Sequence, residues 1–340
     1  MKDFSNILEN LNETPPPELN DHILMIDAMN TLIRSFALLK AMNPSGTHVG
    51  GLVGFMRSLG YINRILEPTR IVVVWDGKGG GSSRKNINPE YKAHRQNVKI
   101  TNWGLYDTKQ QEMDALIGQL LRTQDYLDCL PVHQVSMEKI EADDVIAYLA
   151  KEASSKNRKV TIYSSDKDFL QLIDKNIQVY SPIKKKVFDY TNIQDELKVL
   201  PENYNIVKAL LGDNSDGLIG IKGLGIKTIV KEFPEISSNP DMKLDAIFES
   251  CEGRTYEKKI FSKILANWEL VEQNFIMMDL HDSLLDKKQK DHILDIIKSE
   301  IPDLQSGAFL HLLDQDKIEG ITKNTEAWLE VFRSLTVFTK

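Results

Sequence analysis

Runs of apolar residues that end at an aspartate recur in the first half of the chain. Each run is continuous rather than alternating, which is typical of strands buried on both faces of a parallel sheet. The strands and the acids that follow them are Ile23–Ile26 before Asp27, Ile71–Trp75 before Asp76, and Val160–Tyr163 before Ser164, Ser165 and Asp166. Ligands of such sheets collect at the carboxyl ends of the strands, so the pattern predicts a site there.

Helical spacing of apolar residues separates these strands. It runs through Leu32 and Phe36, through 52–66 and through 143–153, and a further short strand follows at 177–180. Strands that alternate with helices predict an α/β fold with a twisted, mostly parallel sheet flanked by helices.

The pattern also divides the chain. Prolines 15 to 17 in a polar segment predict a flexible leader over 1–20, followed by an α/β domain over 21–200. After Pro201 the pattern is helical, and we expect a C-terminal helical subdomain over 201–340. The basic and amphipathic stretch from about 87 to 130 is too long for an ordinary connection, which indicates a functional role.

The overall charge argues against a nucleic-acid partner until its distribution is considered. The 340 residues carry a formal net charge of −7. Phosphate binding needs concentrated Lys and Arg, and such a concentration occurs in one short stretch that contains Arg84, Lys85, Lys92 and Arg95. No apolar run is long enough for a membrane span or has the form of a secretory signal, so we expect a cytoplasmic protein.

Acidic residues form clusters beyond the strand ends. A cap or turn explains one or two acids in each cluster, but not the complete set. The clustered acids are Glu141, Asp143 and Asp144, then Asp166 and Asp168, then Asp213 and Asp216. Their convergence requires cations, and oxygen ligands without His or Cys favour Mg²⁺ or Mn²⁺. Two such ions are suited to in-line displacement at phosphorus, which predicts phosphodiester hydrolysis.

Two further segments have a composition suited to DNA. Lys92 and Arg95 would share a helix face and could offset charge on a scissile phosphate, although a solvated surface helix explains the same spacing. Tyr91 could stack on an unpaired base. The glycines between 220 and 225 allow a tight hairpin with backbone N–H groups near phosphates, and Lys222 and Lys227 lie beside it.

In combination these motifs resemble the 5′-nuclease or flap endonuclease family, which includes the nuclease domain of bacterial DNA polymerase I and free-standing phage and bacterial 5′–3′ exonucleases. The matching segments, in chain order, are MIDAMN, VVWDG, NPEYKAHR, IEADDVIAYLA, YSSDKDFLQL and GDNSDGLIGIKGLGIKTI. The resemblance implies a helical arch over about 87–130 and a helix–hairpin–helix element over about 205–231 that grips duplex DNA.

The resemblance also implies roles for individual residues. The implied catalytic residues are Lys92, Arg95, Asp27, Asp76, Asp143 and Asp166. The implied ligands of the first metal ion are Asp27, Asp76, Glu141, Asp143 and Asp166; those supporting the second are Asp144, Asp168, Asp213 and Asp216, with Asp143 and Asp166 shared. The implied DNA contacts are Arg84, Lys85, Tyr91, Lys92, Arg95, Lys222, Gly223, Gly225 and Lys227. A K⁺ ion on the hairpin carbonyls, over 217–225, is a further implication.

The implied activity is 5′–3′ exonuclease and flap endonuclease cleavage of DNA in replication or repair. Its implied partners are DNA with a 5′ flap or single-stranded 5′ end, RNA–DNA hybrid primers and replication proteins, and we expect a monomer, in the host cytoplasm if a phage encodes it. Two alternatives are a PIN-like ribonuclease, which uses similar carboxylates on RNA, and a DNA-structure binder without catalysis. The Lys92 segment and the hairpin oppose the first, and the acids oppose the second.

Overall fold

The computed structural model describes residues 17–93, 101–102, 104–281 and 284–339. Within this part of the chain, one sheet of six strands has the order β3-β2-β1-β4-β5-β6. The strands are β1 His22–Asp27, β2 Arg70–Trp75, β3 His133–Ser136, β4 Lys159–Tyr163, β5 Ile177–Ser181 and β6 Lys186–Phe188. All neighbouring pairs are parallel except β5 and β6, which are antiparallel.

Helices connect the strands and continue after the sheet. Those of the first half are α1 Ala28–Leu38, α2 Gly50–Leu66, α3 Ser82–Ile87, α4 Lys109–Leu127, α5 Ala142–Ser155 and α6 Ile193–Leu197. Those of the second half are α7 Tyr204–Leu211, α8 Ile226–Glu232, α9 Leu244–Glu252, α10 Lys259–Ala266, α11 Trp268–Met278, α12 Lys287–Lys298, α13 Ser306–Gln315, α14 Thr325–Glu330 and α15 Arg333–Thr336. None of the described helices is long and apolar enough to span a membrane.

The sheet is buried on both faces, as the continuous apolar runs predict. Successive residues of a strand point to opposite faces. In β1, Ile23 and Met25 therefore join one hydrophobic core, while Leu24 and Ile26 join the other. The first core also contains α5 and the helices from α7 to α12, and the second contains α2 and α13 to α15. The central strand thus lies between two complete layers of helices.

The last helices of the chain cover the face formed by α2. Phe309, Trp328 and Phe332 belong to the same core as Phe55 and Leu59. The approach is close enough to require glycine at position 60. A Cβ atom there would lie 2.0 Å from Nε1 of the Trp328 indole, so any larger side chain would push α14 away.

The predicted α/β class with a mostly parallel sheet is confirmed. Strand β3, with the sequence His-Gln-Val-Ser, has no apolar run and was not predicted, and β6 is only three residues long. The region after residue 200 is mainly helical, but it includes a short hairpin of β7 Gly212–Asp213 and β8 Leu218–Ile219. The helices after residue 200 pack into both hydrophobic cores of the sheet. The domain boundary at residue 200 therefore stays a prediction.

Candidate active site

The carboxyl ends of β1, β2 and β4 meet at one edge of the sheet. β1 lies between the other two strands, with Asp27 opposite Val74 and Ile26 opposite Tyr163. This register brings Asp27 beside Asp76 and Asp166. Asp27 is 5% exposed; its side chain caps α1 at the backbone N–H of Asn30 and accepts a hydrogen bond of 2.7 Å from Ser164 Oγ.

The start of α5 adds a fourth acid to this edge. The backbone N–H of Ala142 donates to Asp76 Oδ1 over 2.8 Å, which attaches the beginning of the helix to the end of β2. Asp143 follows directly and feels the charges of Asp166, Asp27 and Asp76. We call Asp27, Asp76, Asp143 and Asp166 the acidic cluster.

The members of the acidic cluster disfavour one another's charge. Burial raises the pKa of Asp27 to about 7, and the charges of Asp76 and Asp166 act in the same direction. Burial raises the pKa of Asp166 to about 6, assisted by Asp168. Burial also raises the pKa of Asp143, with Asp166 and Asp27 as the next causes. Burial combined with like charge is expected of a site that is completed by a cation.

Glu141 differs from the acidic cluster because its carboxylate is bound by cationic groups and a hydroxyl. Its carboxylate accepts hydrogen bonds from Lys92 Nζ at 2.6 Å, Arg84 Nη1 at 2.6 Å and the Tyr91 hydroxyl at 3.0 Å. Although burial opposes ionisation, Lys92 and Arg84 lower the pKa of Glu141. Its charge is therefore already compensated by the protein, unlike the charges of the acidic cluster.

Arg84 and Asp144 form a buried ion pair, which changes two of the predicted roles. Arg84 donates to both Asp144 oxygens, over 2.7 and 3.1 Å, and to the carbonyl of Met277 over 2.8 Å. Arg84 is 4% exposed and Asp144 is 1% exposed. A guanidinium buried in this way has no surface for a phosphate, so the structure contradicts the DNA contact predicted for Arg84. Both Asp144 oxygens face Arg84, so the guanidinium compensates the charge of this carboxylate.

Tyr91 is also turned inward, which contradicts the predicted stacking on a base. Its ring is 2% exposed, its hydroxyl donates to Glu141, and Lys92 Nζ lies 4.7 Å from the ring centre. No face of the ring remains for a base. The predicted role of Lys92 fits its position better, because its backbone N–H donates to the carbonyl of Asp216 and its ammonium group points towards Glu141.

Lys208 is a site residue that the sequence reasoning missed. Its ammonium group is hydrogen-bonded to Asp168 and lies 2.9 Å from Asp213 Oδ2, and the residue is only 6% exposed. Although burial opposes ionisation, Lys208 lowers the pKa of Asp213. Asp168 and Asp213, two of the four predicted second-ion ligands, are therefore joined by a lysine. The available signal was a single charge within the apolar helix α7, which is unusual in a buried segment.

The glycine-rich turn lies between the short hairpin and α8. Lys222, Gly223 and Lys227 are exposed, and Gly223 has a φ of 86°, which favours glycine. A side chain at Gly225 would meet no atom within 4 Å, so the backbone there is open to a ligand. Lys263 of α10 adds a third cation, since its ammonium group lies 3.5 Å from the Lys222 carbonyl. Lys222, Gly223 and Lys227 are among the residues predicted to contact DNA, and that role stays a prediction. Lys85 is likewise exposed, whereas Arg95 lies outside the described residues.

The acidic cluster fits a hard divalent cation by its chemistry. In the described part of the chain, no group of three or more Asp, Glu, His or Cys side chains is arranged tightly enough to hold a metal ion as it stands. The cluster nevertheless offers only carboxylate oxygens, the ligands that Mg²⁺ and Mn²⁺ prefer. A cation between them would offset the burial and the like charges that raise their pKa values.

Relief of this repulsion should be measurable as stability. Because the folded-state pKa of Asp166 is raised from 3.8 to about 6, its protonated form stabilises the fold below pH 3.8, and that contribution is lost as the pH rises through about 6. We therefore expect Asp166→Asn to raise the melting temperature in EDTA at pH 7 by a few degrees, and by less at pH 5. Calorimetry at both pH values measures this shift.

The matched control is Asp195→Asn, which removes an exposed carboxylate on α6 and should leave the melting temperature unchanged. Addition of Mg²⁺ should stabilise the wild type more than Asp166→Asn, since a ligand stabilises the state that binds it. Equal stabilisation of the two proteins would remove Asp166 from the cation site.

Comparison with known proteins connects this site to a family. A family profile described as 5'-3' exonuclease, N-terminal resolvase-like domain matches residues 22–198. A 5'-3' exonuclease of Aquifex aeolicus is 28% identical over 296 residues, which cover 86% of this chain and 95% of the relative. DNA polymerase I of Rhizobium leguminosarum is 29% identical over 224 residues, which cover 63% of this chain but 21% of the polymerase.

Solved structures show the same fold at lower sequence identity. A flap endonuclease of bacteriophage T5, determined as a complex with DNA and metal ions, has a TM-score of 0.63 at 20% identity and covers 82% of this chain and 100% of its own. Human GEN1 in complex with Holliday junction DNA has a TM-score of 0.54 at 15% identity, covering 98% of this chain and 76% of its own. At these identities the likeness concerns the fold.

Proposed function

Because the chain belongs to the 5'-3' exonuclease family, we propose that it is a structure-specific nuclease that hydrolyses DNA phosphodiesters at 5′ flaps and 5′ ends. The observation that carries the proposal is the acidic cluster, in which burial and like charges raise the pKa values of Asp27, Asp143 and Asp166. Such a cluster suits metal-assisted hydrolysis of a phosphodiester.

The carboxylates of the site fall into two groups, one for each metal ion. Asp27, Asp76, Asp143 and Asp166 would hold the first divalent ion, Mg²⁺ or Mn²⁺. Asp168, Asp213 and Asp216 would support the second, with Asp143 and Asp166 shared. Bound together, such ions lower the pKa of a water nucleophile and stabilise charge on the phosphate and leaving oxygen.

Lys92 would supply the positive charge that the protein itself places at the scissile phosphate. The bond to Glu141 holds its ammonium group at the edge of the acidic cluster, and its partly buried position in this network restricts its motion. A preorganised cation stabilises developing charge more than a mobile one does. Glu141 therefore acts on Lys92, and Lys208 neutralises Asp168 and Asp213 before substrate arrives.

DNA would be gripped at the glycine-rich turn, where Lys222, Lys227 and the backbone around Gly223 and Gly225 are accessible. We further propose that a K⁺ ion lies on the carbonyls of 217–225 and that single-stranded DNA passes through an arch at 87–130. The protein would act as a monomer in the cytoplasm. RNA–DNA primers and replication proteins complete the proposed partners. The family relationship disfavours the ribonuclease and the non-catalytic binder.

The direct test is gel-resolved cleavage of a 5′-labelled flap duplex with Mg²⁺, with Mn²⁺ and with EDTA. We expect cutting near the junction with either metal and none in EDTA. Without cations, the carboxylates of the acidic cluster repel the scissile phosphate. A flap of the same sequence in RNA, on a DNA duplex, measures sugar preference. Uncut DNA under both metals, from protein that still binds the flap, would favour the binder, and preferential cutting of the RNA flap would favour the ribonuclease.

A further inference from the structure

A cavity of about 320 Å³ lies where β4 and β5 end beside α1 and α2. We call it the tyrosine pocket. Its lining residues are Arg34, Arg57, Ser58, Tyr61, Tyr163, Tyr180, Pro182 and Lys185. The lining combines aromatic rings with cationic groups, and none of the described residues that form it is acidic.

The cations of the tyrosine pocket come from three separate elements. Arg34 on α1 donates from Nη2 to the Tyr163 hydroxyl over 3.1 Å, while its Nε is buried and has no hydrogen-bond partner among the described residues. Arg57 on α2 uses Nε to bind the Ile321 carbonyl, at 2.6 Å, which fixes the stem of its guanidinium. Lys185 lies in the turn between β5 and β6 and is exposed. An anion in this pocket would meet positive charge from three directions.

The aromatic residues of the pocket differ in what they expose. Tyr163 and Tyr180 are stacked with ring centres 5.6 Å apart at an angle of 7°, and both are buried. Tyr61 is 42% exposed and lies at the wall of the cavity. The first two rings therefore form a rigid floor, and Tyr61 offers a ring face to a ligand.

The pocket is connected to the acidic cluster through one helix and one strand. Asp27 caps α1, and Arg34 lies seven residues later on the same helix, a distance of about 10 Å at 1.5 Å per residue. Tyr163 directly precedes Ser164, which binds Asp27. A separation of about 10 Å corresponds to the rise of about three nucleotides along a B-form strand.

We propose that the tyrosine pocket is a second nucleotide-binding subsite, which takes a backbone phosphate of the DNA substrate on Arg34, Arg57 and Lys185 and packs the neighbouring base against Tyr61. This inference rests on the proposed function, because the strand is the substrate of the acidic cluster. Guanidinium groups match phosphate oxygens in geometry, and stacking on an aromatic ring suits any base. The subsite would fix the strand a few nucleotides from the cut.

The test measures binding of flap DNA in EDTA by fluorescence anisotropy, so that it needs no cleavage. We expect Tyr61→Leu to raise Kd about tenfold, within the range that stacking on one ring contributes. Tyr61→Phe keeps the ring and should stay within about twofold of the wild type. The matched control is Tyr190→Leu, a tyrosine of similar exposure outside the pocket.

The cations are tested by the salt dependence of the same binding. Arg57→Gln and Lys185→Asn should each lower the slope of log K against log salt by about 1, the effect of one lost phosphate contact. Asparagine is chosen because Lys185 has a φ of 50°. Lys175→Gln, an exposed lysine outside the pocket, should leave the slope unchanged.

Unchanged affinity in Tyr61→Leu together with unchanged slopes would overturn the subsite. A different result would assign the pocket to free product: inorganic phosphate or a mononucleotide binds the wild type but not Arg57→Gln, while both proteins bind DNA equally well. That result would also overturn the strand proposal. These measurements do not involve cleavage. The subsite can therefore be disproved while flap cleavage is confirmed, and flap cleavage can be disproved while the subsite is confirmed.

Discussion

Replacement of Lys92 by alanine is expected to lower the single-turnover rate of flap cleavage by about 10²–10³-fold, the usual effect of removing one preorganised charge-stabilising group. The ammonium group is held by Glu141 at 2.6 Å and lies at the edge of the acidic cluster. Because Glu141 keeps its bonds to Arg84 and Tyr91, the site should otherwise persist. Rapid-quench kinetics with excess enzyme measures the rate.

The matched control is Lys78→Ala, which removes an exposed lysine two residues after Asp76. We expect its rate to stay within about twofold of the wild type, which separates the position of Lys92 from its charge alone. The dissociation constant of Lys92→Ala for flap DNA should change only severalfold. If binding and rate fell together in proportion, Lys92 would be a DNA contact rather than a catalytic group.

Arg84→Met is expected to lower the free energy of unfolding by about 3–5 kcal/mol, the usual effect of leaving a buried charge without its partner. Asp144 would lose both of its hydrogen bonds from Arg84 while remaining 1% exposed. The carbonyl of Met277 would lose its donor as well. Urea unfolding monitored by circular dichroism measures the difference.

Two comparisons show whether the buried pair is the cause. Arg84→Met combined with Asp144→Leu should recover most of the lost stability, because an apolar pair can replace a buried ion pair at little loss. Arg333→Met removes an arginine whose ion pair with Glu330 is exposed, and should change stability by less than about 1 kcal/mol. If the double variant were no more stable than Arg84→Met, the lost hydrogen bonds to Met277 and Glu141 would explain the lower stability instead.

Much of the fold could be predicted from the sequence because its strands are buried on both faces. Full burial demands continuous apolar runs, and the acids after them mark the carboxyl edge of the sheet; this is why Asp27, Asp76 and Asp166 were predicted as neighbours. Strand β3 escaped prediction since it lies at the sheet edge and Val135 is its single apolar residue.

The direction in which a charged side chain points could not be predicted. Arg84 and Lys85 are adjacent in the sequence, yet Arg84 is buried against Asp144 while Lys85 is exposed. Asp144 lies 60 residues from Arg84 along the chain, and Asp168 lies 40 residues from Lys208. No local pattern encodes such pairings, because they depend on how distant segments meet in the folded state.

The return of the last helices to the face of α2 has a consequence for synthesis of the protein. α2 ends at Leu66, but Phe309, Trp328, Phe332 and Leu335, which cover it, are translated only after roughly 240 further residues. At 5–20 residues per second, roughly 15–50 s separate the two events. During that interval the apolar face of α2 lacks its cover on the ribosome, so this half of the core can close only after α13 to α15 have been translated.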